Sequence, residues 1–382
     1  MHADTGATPW LDLKALSGRL IQAKGKTLNR RVDAASRAPK TASINIMAKR
    51  HGRLFDRIIK YENLFMAYLK ARKGKRRMKS VQKFEQNVEG NLLKIQTDLI
   101  NKTFRTSPYQ TKKIYEPKER EIYILPFNPD RIVQHALMNV VEPIWDNLFI
   151  YNSYACRKGK GIHAGSFKTM QYVRRHKYCL KCDISKFYPS IVHDIVFDIV
   201  KKKIKCPDTL WLIKNIIYSV PGDRNIPIGN YTSQWLGNLY LNELDQYLKH
   251  EHGVKAYLRY CDDFLLFHDD KKVLGELAMI IKKFIFDRLK LTLSKCDLFP
   301  VARGIDFLGY RHFKKYILLR KSTAKRVRRR LKKLPGLYAE GKISLDSFRS
   351  SLASTCGWLK WANTHNLSVA LEIEKIAGAV AI

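Results

Sequence analysis

The chain has 382 residues and 45% apolar content, with 71 Lys and Arg against 34 Asp and Glu, a formal net charge of +37. That length and composition allow one large multi-lobed enzyme or two to three small domains with a sizeable core. So basic a surface repels itself unless a polyanion covers it, and nucleic acid is the obvious one. Seven scattered cysteines without a framework argue against a disulfide-bonded secreted protein. No run of 18 apolar residues marks a membrane span, and the start lacks the order of a signal peptide, so the expectation is a cytoplasmic protein without a membrane partner.

Residues 1–46 are Ala-, Thr-, Lys- and Arg-rich and read as an N-terminal extension with little periodicity. Helical spacing follows: Leu54, Ile58, Tyr61, Leu64, Phe65 and Tyr68 on one helix, then Val81, Phe84, Val88, Leu92, Ile95 and Leu99 on another. Near residue 111 the period becomes two, and TKKIYEP and REIYILPF read as a β-ribbon with a charged turn at Lys118 to Arg120. DRIVQHALMNVVEPIWDNLF returns to helix, and NSYACRKGKGIHAG is a Gly- and Lys-rich loop. CLKCDISKFYPSI begins as a strand and breaks at Pro189. Helices fill 192–218, a Pro/Gly loop leads to a helix near 232–249, and KAYLRYCDDFLLFHD reads as strand, tight turn, strand. A helix near 271–288 and short strands near 297–301, 306–310 and 316–319 precede a basic helical end. The order suggests an α+β fold with a mixed sheet and a separate helical end.

The chemistry centres on Asp262 and Asp263, adjacent acids flanked by apolar strand residues. Neighbouring carboxylates repel each other and lose solvation on burial, so such a pair needs compensation, usually a divalent metal. A hairpin turn is the bland explanation of an isolated Asp-Asp. A third acid, Asp183, at the end of another apolar strand and before an aromatic pair, weakens it. Three hard oxygen ligands suit two Mg²⁺ ions, with Mn²⁺ as a substitute, and two such ions serve phosphoryl transfer. Lys118, Arg120, Arg131 and the Arg157–Lys160 loop are candidate partners for a triphosphate. The CxxC at Cys179 and Cys182 has no second pair and reads as part of a strand.

KCDISKFYPSI, IPIGNYTSQWLGNLYLNELD, RYCDDFLLF and GIDFLGYR resemble, in order and spacing, the palm motifs of reverse transcriptases. REIYILPF, DRIVQHAL and YACRKGKGIHAG resemble the fingers motifs. The resemblance implies a right-hand polymerase, with N-terminal helices and fingers over 47–177, a palm of mixed or antiparallel sheet with helices over 178–319 and a helical thumb with the C-terminal segment over 320–382. It implies Asp183, Asp262, Asp263 and the Ile184 carbonyl as metal ligands, and Lys295 as a proton donor to pyrophosphate. It also implies Tyr188 as the aromatic gate against a ribose 2′-hydroxyl, Gly309 in the primer grip, and Arg326, Arg329, Arg330 and Lys333 on a thumb helix that meets the nucleic-acid backbone.

One departure narrows the resemblance. Where most reverse transcriptases have Q-G-x-x-x-S-P, this chain has Ile228-Gly229 and Ser233-Gln234. That I-G-x-x-x-S-Q pattern, with the C-terminal GWLKWANTHNL, resembles the reverse transcriptases of diversity-generating retroelements, within the group II intron-like superfamily. Such an enzyme copies a template-repeat RNA into cDNA from dNTPs, with errors opposite adenine, alongside an accessory variability determinant, a small basic helical-bundle oligomer. Ile228, Gly229 and Gln234 would then lie at the nucleotide. Ile228 removes a hydrogen-bonding check that a Gln supplies. A defence-associated, non-mutagenic reverse transcriptase and a non-catalytic RNA-binding scaffold are the alternatives.

Overall fold

The computed structural model describes residues 49–115, 119–373 and 376. The expectations for residues 1–46 and for Lys118 lie outside these. The N-terminal helices form as the periodicity predicts, but each is broken in two. Helix α1 (Phe55–Ile58) and α2 (Tyr61–Arg72) are separated at Ile59-Lys60, and α3 (Lys79–Glu85) and α4 (Val88–Ile100) at Gln86-Asn87. Asn87 causes the second break: its side chain accepts from the Gly90 N–H and caps α4. Leu54, Ile58, Leu64, Tyr68, Val81, Phe84, Leu92, Ile95 and Leu99 are buried, whereas Phe65 stays exposed.

The ribbon pairs β1 (Gln110–Ile114) with β2 (Arg120–Ile124). A short wide-turn stretch, Phe127–Arg131, leads into α5 (Ile132–Asp146), whose apolar face enters the main core. The loop expected over NSYACRKGKGIHAG ends early, because α6 (Ile162–Arg175) begins inside it. Strand β3 (Tyr178–Ile184) stops well before Pro189, which falls within the one-turn α7 (Phe187–Ser190). Helices α8 (His193–Lys201), α9 (Pro207–Ile217) and α10 (Tyr231–Gln246) follow. Next come β4 (Tyr257–Tyr260), β5 (Asp263–His268), α11 (Lys271–Leu289) and β6 (Leu293–Pro300).

The central sheet has the order β4-β5-β3-β6 and is antiparallel throughout. Of the mixed or antiparallel sheet expected, the structure has the antiparallel one. The helices after β3 return the chain to a hairpin, and the hairpin's second strand, not its first, lies against β3. Helices pack on one face of this sheet and make the main core. A smaller core fills part of the other face beneath a three-stranded sheet, β7 (Ile305–Phe307), β8 (Tyr310–His312) and β9 (Ile317–Leu319). GIDFLGYR is thus a hairpin turned at Leu308-Gly309 where one strand was expected. The chain closes with α12 (Lys321–Ala339), α13 (Leu345–Lys360) and α14 (His365–Ala370). No helix among the described residues is long and apolar enough to cross a membrane.

Candidate active site

Strand alternation begins the assembly of the site. In β3, Leu180, Cys182 and Ile184 are buried in the main core, which leaves Lys181 and Asp183 on the other face. The register across the sheet then sets Tyr260, Asp263, Asp183 and Lys295 in one row. Directly opposed residues of antiparallel strands have Cβ atoms about 5 Å apart. Two aspartates distant in sequence thus become neighbours, with Lys295 exposed beside Asp183. Asp262 sits in the two-residue turn joining β4 to β5, whose first residue, Cys261, has a left-handed backbone with φ of 53°. Such turns favour Gly there, so a cysteine holds the position at a cost in strain.

Asp263 has its Oδ2 3.3 Å from the Lys181 ammonium, while its Oδ1 is shut off from solvent without a hydrogen-bond partner. Burial, with Asp183 and Asp262 adding to it, pushes the Asp263 pKa up to about 6, against the opposing pull of Lys181. Asp183 accepts from Ser294 Oγ at its own Oδ2 (2.8 Å) and at its backbone carbonyl (3.2 Å). The ladder to β6 shifts register between Asp183 and Ile184, and such irregularities free backbone groups from pairing. Among the described residues, no three His, Cys, Asp or Glu side chains converge on one point as they stand. Asp183 and Asp263 are each drawn to a protein partner. The donor set nevertheless fits a hard divalent cation: an orphaned buried carboxylate oxygen and carboxylates that repel one another. Such a cation takes its remaining ligands from water and substrate phosphates.

Tyr188 follows Lys186, itself left-handed, and its ring lies so close to α10 that a Cβ at Gly237 would come within 3.2 Å of it. The Tyr188 side chain hydrogen-bonds that of Cys261, and burial pushes its pKa well above the usual phenol value. Its carbonyl accepts from Ile226 N–H at 3.0 Å, which ties it to the loop that carries Ile228. The Ile228 carbonyl accepts from Tyr123 N–H at 2.7 Å. Gly229, with φ of 125°, lies where a Cβ would meet the Tyr123 carbonyl at 2.3 Å, so no other residue fits. The ribbon, this loop and Tyr188 are therefore stitched together. Ile228 is half-buried and belongs to none of the hydrophobic clusters, and Gln234 is exposed on the first turn of α10.

The other expected residues are placed as follows. Arg120 is exposed on β2. Arg131 lines a cleft of about 460 Å³ with Lys75, Ser107 and Phe127, and burial is the main cause lowering the pKa of both cations. Arg157 does not reach out as expected. Its side chain is committed to the Asp146 carboxylate at 2.6 Å and to the Ile150 and Ser153 carbonyls. Lys160 sits over the Tyr151 ring, 3.3 Å from its centroid. Gly309 has φ of 84° and meets the Trp358 ring. Arg326, Arg329, Arg330 and Lys333 form one exposed stripe of α12 opposite the buried Val327, Leu331 and Leu334. Arg330 also donates to Ser351 Oγ. Cys179 and Cys182 point to opposite faces of β3 and enter different cores, so the CxxC forms no site.

Lys181 escaped the sequence reading, although its signal was present: two residues before Asp183 on a strand is the same face. It also donates to the Asp306 carbonyl at 2.6 Å and so bridges the row to β7. Trp358 and Trp361 belong to the GWLKWANTHNL motif, which carries no sign of what they touch. They dock on α6, where Trp361 stacks on His163 and donates to Ser166 Oγ at 3.0 Å, while Trp358 stacks on Tyr310.

Residues 112–312 match the family model for reverse transcriptase (RNA-dependent DNA polymerase), more than half of the chain, and include the whole row of aspartates and Lys295. The chain belongs to the reverse transcriptase family. It is an RNA-directed DNA polymerase, a nucleotidyltransferase, of a family that uses divalent metal ions and binds template nucleic acid and deoxynucleotides. Similar proteins include Protein YkfC of Escherichia coli (strain K12), 25% identical over 261 residues covering 54% of this chain and 68% of the relative. The Putative COX1/OXI3 intron 2 protein of Saccharomyces cerevisiae is 24% identical over 170 residues, 42% of this chain and 20% of that protein. The Uncharacterized 91 kDa protein in cob intron of Schizosaccharomyces pombe is 27% identical over 131 residues, 31% of this chain and 16% of that protein. The chain thus spans only a small part of the two intron proteins.

Proposed function

We propose that this reverse transcriptase copies a template-repeat RNA into cDNA with errors opposite adenine, as part of a diversity-generating retroelement. The observation that carries the reading is Ile228. It is an apolar side chain outside every core cluster, on a loop hydrogen-bonded both to the ribbon and to the Tyr188 carbonyl. An apolar residue there supplies no directional contact with an incoming nucleotide or its template base, so mispairs are rejected less strongly. The two divalent ions are Mg²⁺ in this reading, held by Asp183, Asp262, Asp263 and the Ile184 carbonyl. Bound there, they would lower the pKa of the primer hydroxyl and neutralise charge on the leaving pyrophosphate.

The chain's own residues supply the rest. Lys295, beside Asp183 in the row, delivers a proton to pyrophosphate. Arg120 meets the triphosphate from the ribbon. Tyr188, held rigid between Gly237 and Cys261, blocks a 2′-hydroxyl. The central sheet and its helices act as palm, the ribbon and N-terminal helices as fingers, and α12 to α14 as thumb, with the basic stripe of α12 along the duplex. Gly309 shapes the turn that grips the primer end. An accessory variability determinant is the expected protein partner. The test is sequencing of cDNA made on an RNA with all four bases. Errors concentrated at template adenines, and reduced in Ile228→Gln, support the reading; errors spread evenly over the four bases overturn it and favour a non-mutagenic reverse transcriptase.

A further inference from the structure

Among the described residues, the most enclosed charges lie one layer behind the aspartate row. Arg259 on β4 and Asp245 on α10 are both fully buried, with Arg259 Nη2 2.6 Å and Nε 2.8 Å from the Asp245 carboxylate. Tyr257 donates to the same carboxylate at 2.6 Å. A buried ion pair is a weak source of stability, because the desolvation of both ions offsets most of their attraction. What a guanidinium offers is direction: a planar fork of donors in fixed geometry. Every N–H of this fork is used. Besides Asp245, Nη1 donates to Asn238 Oδ1 at 3.1 Å and to the Cys261 carbonyl at 3.0 Å, and Nη2 to the Asn238 carbonyl at 3.4 Å.

Two of the groups so held adjoin strained backbone. Cys261 is the left-handed first residue of the turn that carries Asp262. Asn238 in turn donates to the Ala155 carbonyl at 2.9 Å, next to Cys156, which is also left-handed with φ of 59°. The main chain of Arg259 joins the same loop, with its N–H on the Asn152 carbonyl (3.0 Å) and its carbonyl accepting from Tyr154 N–H (2.9 Å). Strained conformations persist only where their surroundings over-determine them. Here the over-determination comes from one rigid fork together with the main-chain bonds of the same residue.

We infer that Arg259, oriented by Asp245 and Asn238, is a positioning residue for nucleotidyl transfer. It holds the Cys261 carbonyl, and so fixes the turn that presents Asp262 and Asp263, in register with the 152–157 loop. The inference rests on the proposed metal-holding role of those aspartates, and the experiment separates the two. Arg259→Lys and Asn238→Ala are compared with Asp262→Ala by melting temperature, by single-nucleotide primer extension resolved into kcat and dNTP KM, and by Mn²⁺ binding followed by electron paramagnetic resonance. Because Arg259→Lys keeps the charge but leaves Asn238 and the Cys261 carbonyl short of buried donors, Arg259→Met with Asp245→Asn is the second variant: it removes both charges together and keeps the volume. The expected result is folded protein with kcat reduced about tenfold or more, little change in dNTP KM, and Mn²⁺ binding weakened by about the same factor. If the double variant and Asn238→Ala fold and keep wild-type kcat and Mn²⁺ affinity while Asp262→Ala loses both, the fork is merely structural and the inference falls. If Asp262→Ala itself keeps both, it is the reading of the aspartates that fails.

Discussion

Two tight hairpins in this enzyme solve the same backbone problem with opposite chemistry. The β4–β5 turn has Cys261 at φ of 53°, and the β7–β8 turn has Leu308 at φ of 54°, each a left-handed residue where glycine would be at ease. The first is held by polar groups: the Arg259 fork on the Cys261 carbonyl, and the Tyr188 side chain on that of Cys261. The second is held by close packing. Leu308 lies against Gly165, where an added Cβ would come 2.7 Å from it, and Gly309 lies against Trp358. The turn that carries two acids is fixed by directional bonds from behind, whereas the turn that packs on α6 and α13 is fixed by shape.

Breaking the first turn's acids should produce the largest effect. With Asp262 in its proposed role, Asp262→Ala should remove several kcal/mol of charge compensation from the reaction, a fall in primer extension of roughly a thousandfold. Its melting temperature should hold or rise, since three crowded carboxylates become two. A variant that retains near-full extension would remove this turn from the chemistry. The pH response comes next. In the proposed role Asp263, whose pKa is pushed up to about 6, helps bind a divalent ion only when ionised, so extension should rise with pH through about 6 and level off above it. Stability of the metal-free protein has the opposite sign. A carboxyl with a folded pKa above its ordinary 3.8 stabilises most at low pH, and that contribution is lost as pH rises through about 6. Lys181→Met should move both midpoints upward, because Lys181 is the cation that opposes the shift. Extension and melting measured from pH 5 to 8 give both curves.

The contrast between the turns also explains what the sequence made legible. The acids of the first turn stand out because charge between apolar strand residues is anomalous in any chain. The ribbon and most helices are legible because burial imposes their periods on the residues. Other features were not. The row of Tyr260, Asp263, Asp183 and Lys295 depends on a register between distant strands, which no local pattern carries. The strand order of the sheet depends on which hairpin strand meets β3. Arg259, Asp245 and Asn238 look like ordinary polar residues until the fold removes water from them. Helix α6 escaped because its start is a run of Gly, His and Ala with no capping side chain. The second turn, made of Leu and Gly, gives no sign that Trp358 and Trp361 dock around it.

Shape-held turns should fail through packing. Gly309→Ala places a methyl 2.8 Å from the Trp358 ring at a backbone φ of 84°, so strain of about 1–3 kcal/mol should appear as a lower melting temperature. If Gly309 shapes the primer grip, product length on long templates should shorten while the single-nucleotide dNTP KM stays unchanged. An unchanged melting curve would mean that the Trp358 contact yields easily and the second turn is not shape-held.

The smallest effects discriminate best. Replacing the left-handed residue by glycine relieves strain in both turns and loosens the unfolded chain by about 0.5–1 kcal/mol, so these terms nearly cancel at each site. What remains is the side chain itself. At Cys261 the substitution keeps the carbonyl that Arg259 holds and loses only a thiol contact with Tyr188 and Cys156. Cys261→Gly should therefore stay within about 1 kcal/mol of the parent by chemical denaturation. At Leu308 the substitution deletes the side chain that packs on the smaller core and on Gly165. Leu308→Gly should lose about 1–3 kcal/mol, scaled for a half-buried residue. Equal losses at the two positions would show that both turns depend on their side chains, and the division between a bond-held and a shape-held hairpin would not stand.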